Sequence, residues 1–264
     1  MEITSDIQLR RAQKLAFCYL CGRGFEVKEY VTRDHVPPKT VFLPCDRTKP
    51  LILPTHDNCN QRESRGDEVV GQLIGALHGV YPRMERRRVK IGAYENAVNK
   101  TPVLALEGIS LTGVIARCIK GFHAALYGEY LPKTTPHWFD PPTAVGSKKG
   151  NQIVFEETRP HFLLFVRTIK KNRKAGRVDR ISCFNDKCVY ECVWERTDGG
   201  TWACFFALNI YDWKELGDAS HQPRRGCVGF YMPTRGRPPQ AMIGITRVLE
   251  IPIPNAEAFD PFGN

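Results

Sequence analysis

Apolar positions along the chain change rhythm several times, and the changes predict its elements. Ile3, Ile7, Leu9, Ala12 and Leu15 predict a short helix or an irregular lead-in. Between residues 26 and 32, Val27 and the Tyr30-Val31 pair alternate with polar residues, as on a half-buried strand. Leu51-Ile52-Leu53 predicts a second short strand, with Pro54 as its stop because proline has no N–H to donate. Val69, Val70, Leu73, Ile74 and Leu77 then form a helical stripe, and Asp57 or Asn58 is placed to cap its start. Residues 83–100 read as a basic helix. Residues 109–127 read as another, with Leu111, Ile115, Cys118, Phe122 and Leu126 on its apolar side. The proline-rich passage 131–143 reads as a linker. Beyond residue 146 the period shortens. Strands are expected at 152–155, 181–183, 188–194 and 202–210, and a short helix at 160–171. Asp198-Gly199-Gly200 reads as a hairpin turn, and two more strands are expected within 226–232 and 243–251. The class is α+β in three parts: 1–81, a helical segment and linker at 82–145, and an α+β domain with an antiparallel sheet at 146–264.

Composition adds bounds on partners. The chain has 264 residues, 42% of them hydrophobic, so a sizeable core is available. A net charge of +10 favours a polyanionic partner, nucleic acid or an acidic surface. No stretch approaches the roughly 20 apolar residues of a membrane span. The acidic N-terminus lacks the apolar core of a secretory signal. Ten cysteines in such a chain point to metal ligands and buried thiols more than to a disulfide framework, so a reducing cytoplasm is expected.

The chemistry concentrates between Phe17 and Glu63. Cys18 and Cys21 make a C-x-x-C, and His56 and Cys59 an H-x-x-C. Three thiolates and one imidazole are the closed donor set that suits structural zinc. Between the two pairs lie Asp34 and His35, a carboxylate beside an imidazole whose neutral form is a proton acceptor near pH 7. Asn60 follows the last cysteine directly.

That order resembles the HNH endonucleases, the ββα-metal family, in their zinc-containing form. The resemblance covers about the first third of the chain. It implies a zinc-stabilised ββα-metal module at 1–81 and phosphodiester hydrolysis with His35 as general base. It also implies that Asp34 and Asn60 hold a catalytic Mg²⁺ or Mn²⁺, a Lewis acid for the phosphate. DNA is the expected substrate, and phage defence or mobile-element maintenance a plausible setting for such a nuclease. The chain departs from the family at Leu51, where a middle Asn usually lies. There the Leu51 carbonyl is expected to orient the His35 ring. His56 in place of the commoner cysteine is a milder departure.

Lys39, Arg62 and Arg65 are candidate phosphate contacts, as are Arg86, Arg87 and Arg88 within the basic cluster. The basic run from Arg167 to Arg177 is a further candidate. Each is equally readable as a solvated face. Cys183, Cys188 and Cys192 are poorly spaced for a second zinc and read as buried thiols. Two rival readings share the same residues. One is a non-catalytic zinc module that binds nucleic acid, and the other is an RNase, since nothing in the motif senses a 2′-hydroxyl. A homo-oligomer is compatible with all of them.

Overall fold

The computed structural model describes residues 1–77, 90–97, 100, 102–107, 112–135, 137–140, 146–149, 152–155, 160–197, 201–211, 227–232 and 248–249. In chain order its elements are β1 (Glu2–Ile3), α1 (Asp6–Ala12), β2 (Val31–His35), β3 (Ile52–His56) and α2 (Asp57–Leu77). There follow β4 (Lys90–Asn96), β5 (Pro102–Glu107), α3 (Thr112–Tyr127), β6 (His137–Asp140), β7 (Gly146–Lys149), β8 (Gln152–Phe155) and α4 (Pro160–Lys174). The remaining strands are β9 (Asp179–Cys183), β10 (Cys188–Thr197), β11 (Trp202–Ile210), β12 (Cys227–Tyr231) and β13 (Val248–Leu249). Two short 3₁₀ turns, Lys39–Val41 and Pro44–Asp46, lie between β2 and β3.

The largest sheet has the order β1-β9-β10-β11-β12-β6, with β13 beside β10. Its inner strands read as almost continuous apolar runs because both faces are covered. On one face Tyr190, Cys192 and Trp194 of β10 join Cys204, Phe206 and Leu208 of β11. This face packs on Ile115, Cys118, Ile119 and Phe122 of α3. The alternate residues Val193, Ala203, Phe205 and Ala207 face Phe165 and Ile169 of α4. The period of two thus sorts one set of residues into two cores. The first core also takes in Tyr19, Val36, Leu51 and Leu53, so the β2–β3 ribbon is packed against α3 and the sheet. At Gly121 the contact is so close that a Cβ would meet Val36 Cγ1 at 2.6 Å. Val36 follows His35, so α3 sets the height of the end of β2.

Several expectations are corrected. Most strand pairs are antiparallel, but β1 pairs parallel with β9, β10 with β13, and β4 with β8. Pairing also crosses the expected boundaries at 81/82 and 145/146, because β1 joins β9, β6 joins β12 and β4 joins β8. Lys90–Asn96 is a strand and not the end of a helix. The proline-rich passage contains β6, since His137–Asp140 pair with Val228–Tyr231. The first strand of the N-terminal module begins at Val31, not at residue 26, and Asp34-His35 are its last two residues. Pro54 does not stop β3 but lies inside it, opposite Arg33. A ribbon of two strands has an unpaired outer edge, where a missing N–H costs no ladder bond. Asp57 is the first residue of α2 and accepts from Gln61 Nε2 at 2.6 Å. Val70 is buried as expected. The side chains of Leu73, Ile74 and Leu77 lie outside the described residues.

Candidate metal centre and the residues around His35

Residues 17–24 close into a knuckle. The Cys18 amide donates to the Arg23 carbonyl at 2.9 Å, the Gly22 amide donates to the Cys18 carbonyl at 2.8 Å, and Phe17 bridges to Gly24. Gly22 has φ +78°, and a Cβ there would meet the Tyr130 ring at 2.5 Å. Only glycine avoids both the strain and the clash. This curl turns Cys18 and Cys21 toward His56 at the end of β3 and Cys59 in the first turn of α2. One ligand atom from each of the four lies within 4.8 Å of all the others. A tetrahedral zinc with Zn–S bonds near 2.3 Å sets its sulfurs about 3.8 Å apart, so the donor set fits the ion in number, chemistry and spacing. Cys45 is exposed and is not part of this group.

The electrostatics favour a cation at that point. Burial, and then the neighbouring Cys18 and Cys21, push the Cys59 thiol up to about 12. Burial acts the same way on Cys21. It is outweighed there by the backbone and side chain of Arg23 and by contacts with Cys18 and His56, which bring this thiol down to about 7. One sulfur is thus ready to ionise while its neighbour is prevented, a conflict that a divalent ion removes.

The imidazole is oriented from behind. His56 Nδ1 lies 3.3 Å from Cys21 Sγ, and its Nε2 lies 3.2 Å from Glu29 Oε2. A carboxylate on the far nitrogen fixes the tautomer and raises the basicity of the ligating one. Glu29 was not among the sequence candidates. Glu29→Ala is expected to weaken zinc affinity about 10- to 100-fold. Competition with a chromophoric chelator measures this, and unchanged affinity removes Glu29 from the centre.

Asp34 and His35 divide between two environments, as consecutive strand residues do. Asp34 is buried. Its Oδ2 accepts from Arg117 Nε at 3.0 Å and from the Tyr19 hydroxyl, and its Oδ1 accepts from Arg117 Nη2. Arg117 Nη1 donates to both oxygens of Asp67, at 2.6 and 2.7 Å. Nη2 also reaches Asn60 Oδ1 at 3.5 Å. Asp34 and Asn60 therefore converge as expected, but they converge on a guanidinium. Tyr19, Asp67 and Arg117 were missed from the sequence. The available signal was a trio of polar residues, Arg117, Lys120 and His123, on an otherwise apolar helix, and all three are buried.

His35 is half-buried. Burial, then the positive charge of Lys39, lower its pKa from the usual value. Asp34 opposes this, while Arg117 and Arg47 add to it. The neutral, proton-accepting ring is thus the form at pH 7. Among the described residues no hydrogen bond reaches it. The Leu51 carbonyl, expected to hold the ring, accepts the Val36 amide at 2.9 Å and makes no hydrogen bond to His35.

Lys39 and Arg62 are exposed, and Arg47 adds an exposed cation that the sequence reading did not single out. The Arg65 side chain and residues Arg86, Arg87 and Arg88 lie outside the described residues. The basic run of α4 sits across the sheet from α3 and the zinc cluster, with Arg173 on Glu191 and Arg177 on Asn172 Oδ1 at 3.1 Å. Cys183, Cys188 and Cys192 are free and buried, and they form no ligand group among the described residues. No helix among the described residues is long and apolar enough to cross a membrane.

The geometry defines a mixed α+β protein with a zinc-type cluster of three cysteines and one histidine. Comparison of the chain with protein-family models, with curated proteins and with solved structures gave no match.

Proposed function

We propose that this protein is an HNH-type endonuclease that hydrolyses phosphodiester bonds in DNA, with His35 as the general base. The observation that carries the reading is the placement of His35. The zinc-type cluster ties the knuckle to the end of β3 and the start of α2. Across the ribbon, His35 pairs with Ile52 and closes β2, and among the described residues no hydrogen bond reaches its ring. A neutral imidazole at that point accepts the proton of an attacking water. Lys39 and Arg47, both exposed and both acting electrostatically on the ring, supply positive charge for the phosphate. The chain's net charge of +10 supports a nucleic-acid partner.

A second reading is favoured by the Asp34–Arg117 pair. A zinc module that binds nucleic acid without cutting it has no need of a free carboxylate beside His35. Supercoiled plasmid with Mg²⁺ or Mn²⁺ separates the two. The wild type is expected to nick it, and His35→Ala to lose about 100-fold or more of the rate while keeping its zinc and its fold. Equal rates for the two proteins, or no cleavage by either, contradict the nuclease reading. A parallel RNA substrate distinguishes an RNase, which would cut it in preference to DNA.

A further inference from the structure

The position where the family resemblance expects a divalent metal is taken by a side chain of the protein itself. We infer that Arg117 is the resident cation at Asp34 and Asn60, and that guanidinium and divalent metal are mutually exclusive there. Only the identification of this position rests on the nuclease reading.

The contacts argue against a casual ion pair. Side-chain exposure is 3% for Arg117 and 5% for Asp34. The fork of Arg117 is used at every nitrogen. Nε and Nη2 grip Asp34, and Nη1 grips both oxygens of Asp67. Tyr19, which is completely buried, donates to the same Asp34 oxygen as Nε. Burial, then Asp34, raises the pKa of this phenol, which keeps it a donor. These donors take three of the roughly four acceptor directions of the carboxylate, and the one left on Oδ1 lies beside the guanidinium charge, which repels a metal ion.

Arg117 also comes from α3, the helix whose close approach at Gly121 seats Val36. The pair therefore links the helix to the strand that carries His35. Two carboxylates surround one guanidinium, so removing Arg117 takes away the positive charge that they share. Such a pair, with the Asn60 oxygen beside it, suits an oxygen-seeking divalent ion. Metal can enter the intact protein only if the guanidinium leaves Asp34 and rests on Asp67 alone.

The test uses the zinc-loaded 264-residue chain and Mn²⁺ as probe, with free Mn²⁺ followed by its paramagnetic resonance. The wild type is expected to take up no Mn²⁺ through Asp34. Arg117→Met is expected to bind one Mn²⁺ per chain, on the order of 100-fold more tightly or better. Adding Asp34→Asn should abolish that binding. Mn²⁺ should raise the thermal midpoint of Arg117→Met and leave that of the wild type unchanged.

If Arg117→Met does not fold, the double variant Arg117→Met/Asp67→Asn, whose net charge equals that of the wild type, must still bind Mn²⁺ more tightly than the wild type. Tight Mn²⁺ binding by the wild type that is lost in Asp34→Asn overturns the inference. So does a folded Arg117 variant that binds none. Cleavage is read separately. His35-dependent nicking without any gain of Mn²⁺ binding sinks this inference and spares the nuclease. The Mn²⁺ pattern without nicking does the reverse.

Discussion

Stripping zinc with a chelator, or replacing Cys59 by Ser, is expected to lower the thermal midpoint by about 10 °C or more and to open the N-terminal module to proteolysis. The ion matters most to the knuckle and to its tie to α2, since the ribbon also packs on α3 and the sheet through Val36, Leu51 and Leu53. That ribbon has two strands, a size that is marginal alone in water. The knuckle is a loop whose own backbone hydrogen bonds are few. Apparent zinc affinities of roughly 10–16 kcal/mol in small metal-folded domains are comparable to the whole stability of an ordinary domain. The effect should be partial and not global, because the sheet and α4 keep a separate apolar core. Opening the knuckle frees Tyr19 from Asp34, so the ribbon should loosen with it. Limited proteolysis with mass mapping reads this directly. Early cuts should fall between the knuckle and the start of α2 in the metal-free protein and be absent in the zinc form. A midpoint and a digestion pattern indifferent to chelator would show that the four ligands are merely neighbours.

The second large effect is acid destabilisation through His123. This ring lies in the core at 2% exposure, with Nδ1 2.9 Å from the Tyr231 hydroxyl and Tyr127, Trp194 and Tyr231 around it. Burial alone lowers its pKa to about 3. Unfolding returns it to water, where imidazole titrates near ~6.5. Below that pH the unfolded chain takes up a proton that the folded chain refuses. His123 therefore does not weaken the fold above pH ~6.5, and stability falls as pH drops from there toward about 3. Over the whole window the loss is roughly 4–5 kcal/mol, of which about 2 kcal/mol is already gone at pH 5. Urea unfolding at pH 7.5 and at pH 5 should show that difference. His123→Phe, which has nothing to protonate, should show a clearly smaller one, whatever its stability at neutral pH. An equal pH dependence in the variant would place the sensitivity elsewhere.

The elements with strong local signals were legible in the sequence. The stripe at Ile115, Cys118 and Phe122 matches α3, and the apolar runs match β10 and β11. The four zinc ligands were readable because their spacing is a local property of a knuckle and a helix start. What was not legible is long-range. Pairing of Glu2 with Arg180 or of His137 with Tyr231 leaves no trace in either segment alone. Pro54 was misread because a proline's effect depends on whether the strand edge it spoils is used, which only the topology decides. The same limit applies at the site. Asp34 and Asn60 were recognised as converging groups. The object they converge on, Arg117, lies 83 residues from Asp34 in the chain. A charged residue inside an apolar helix stripe signals that a buried partner exists without naming it.

A zinc ion joining the knuckle, the end of β3 and the start of α2 is the feature on which the fold of the module and the placement of His35 depend. X-ray absorption at the zinc edge of the purified protein tests this most directly. The expected result is one zinc per chain with three sulfurs at about 2.3 Å and one nitrogen at about 2.0 Å, losing one sulfur in Cys59→Ser. A protein that carries no zinc, or a shell of oxygen and nitrogen without sulfur, would contradict it.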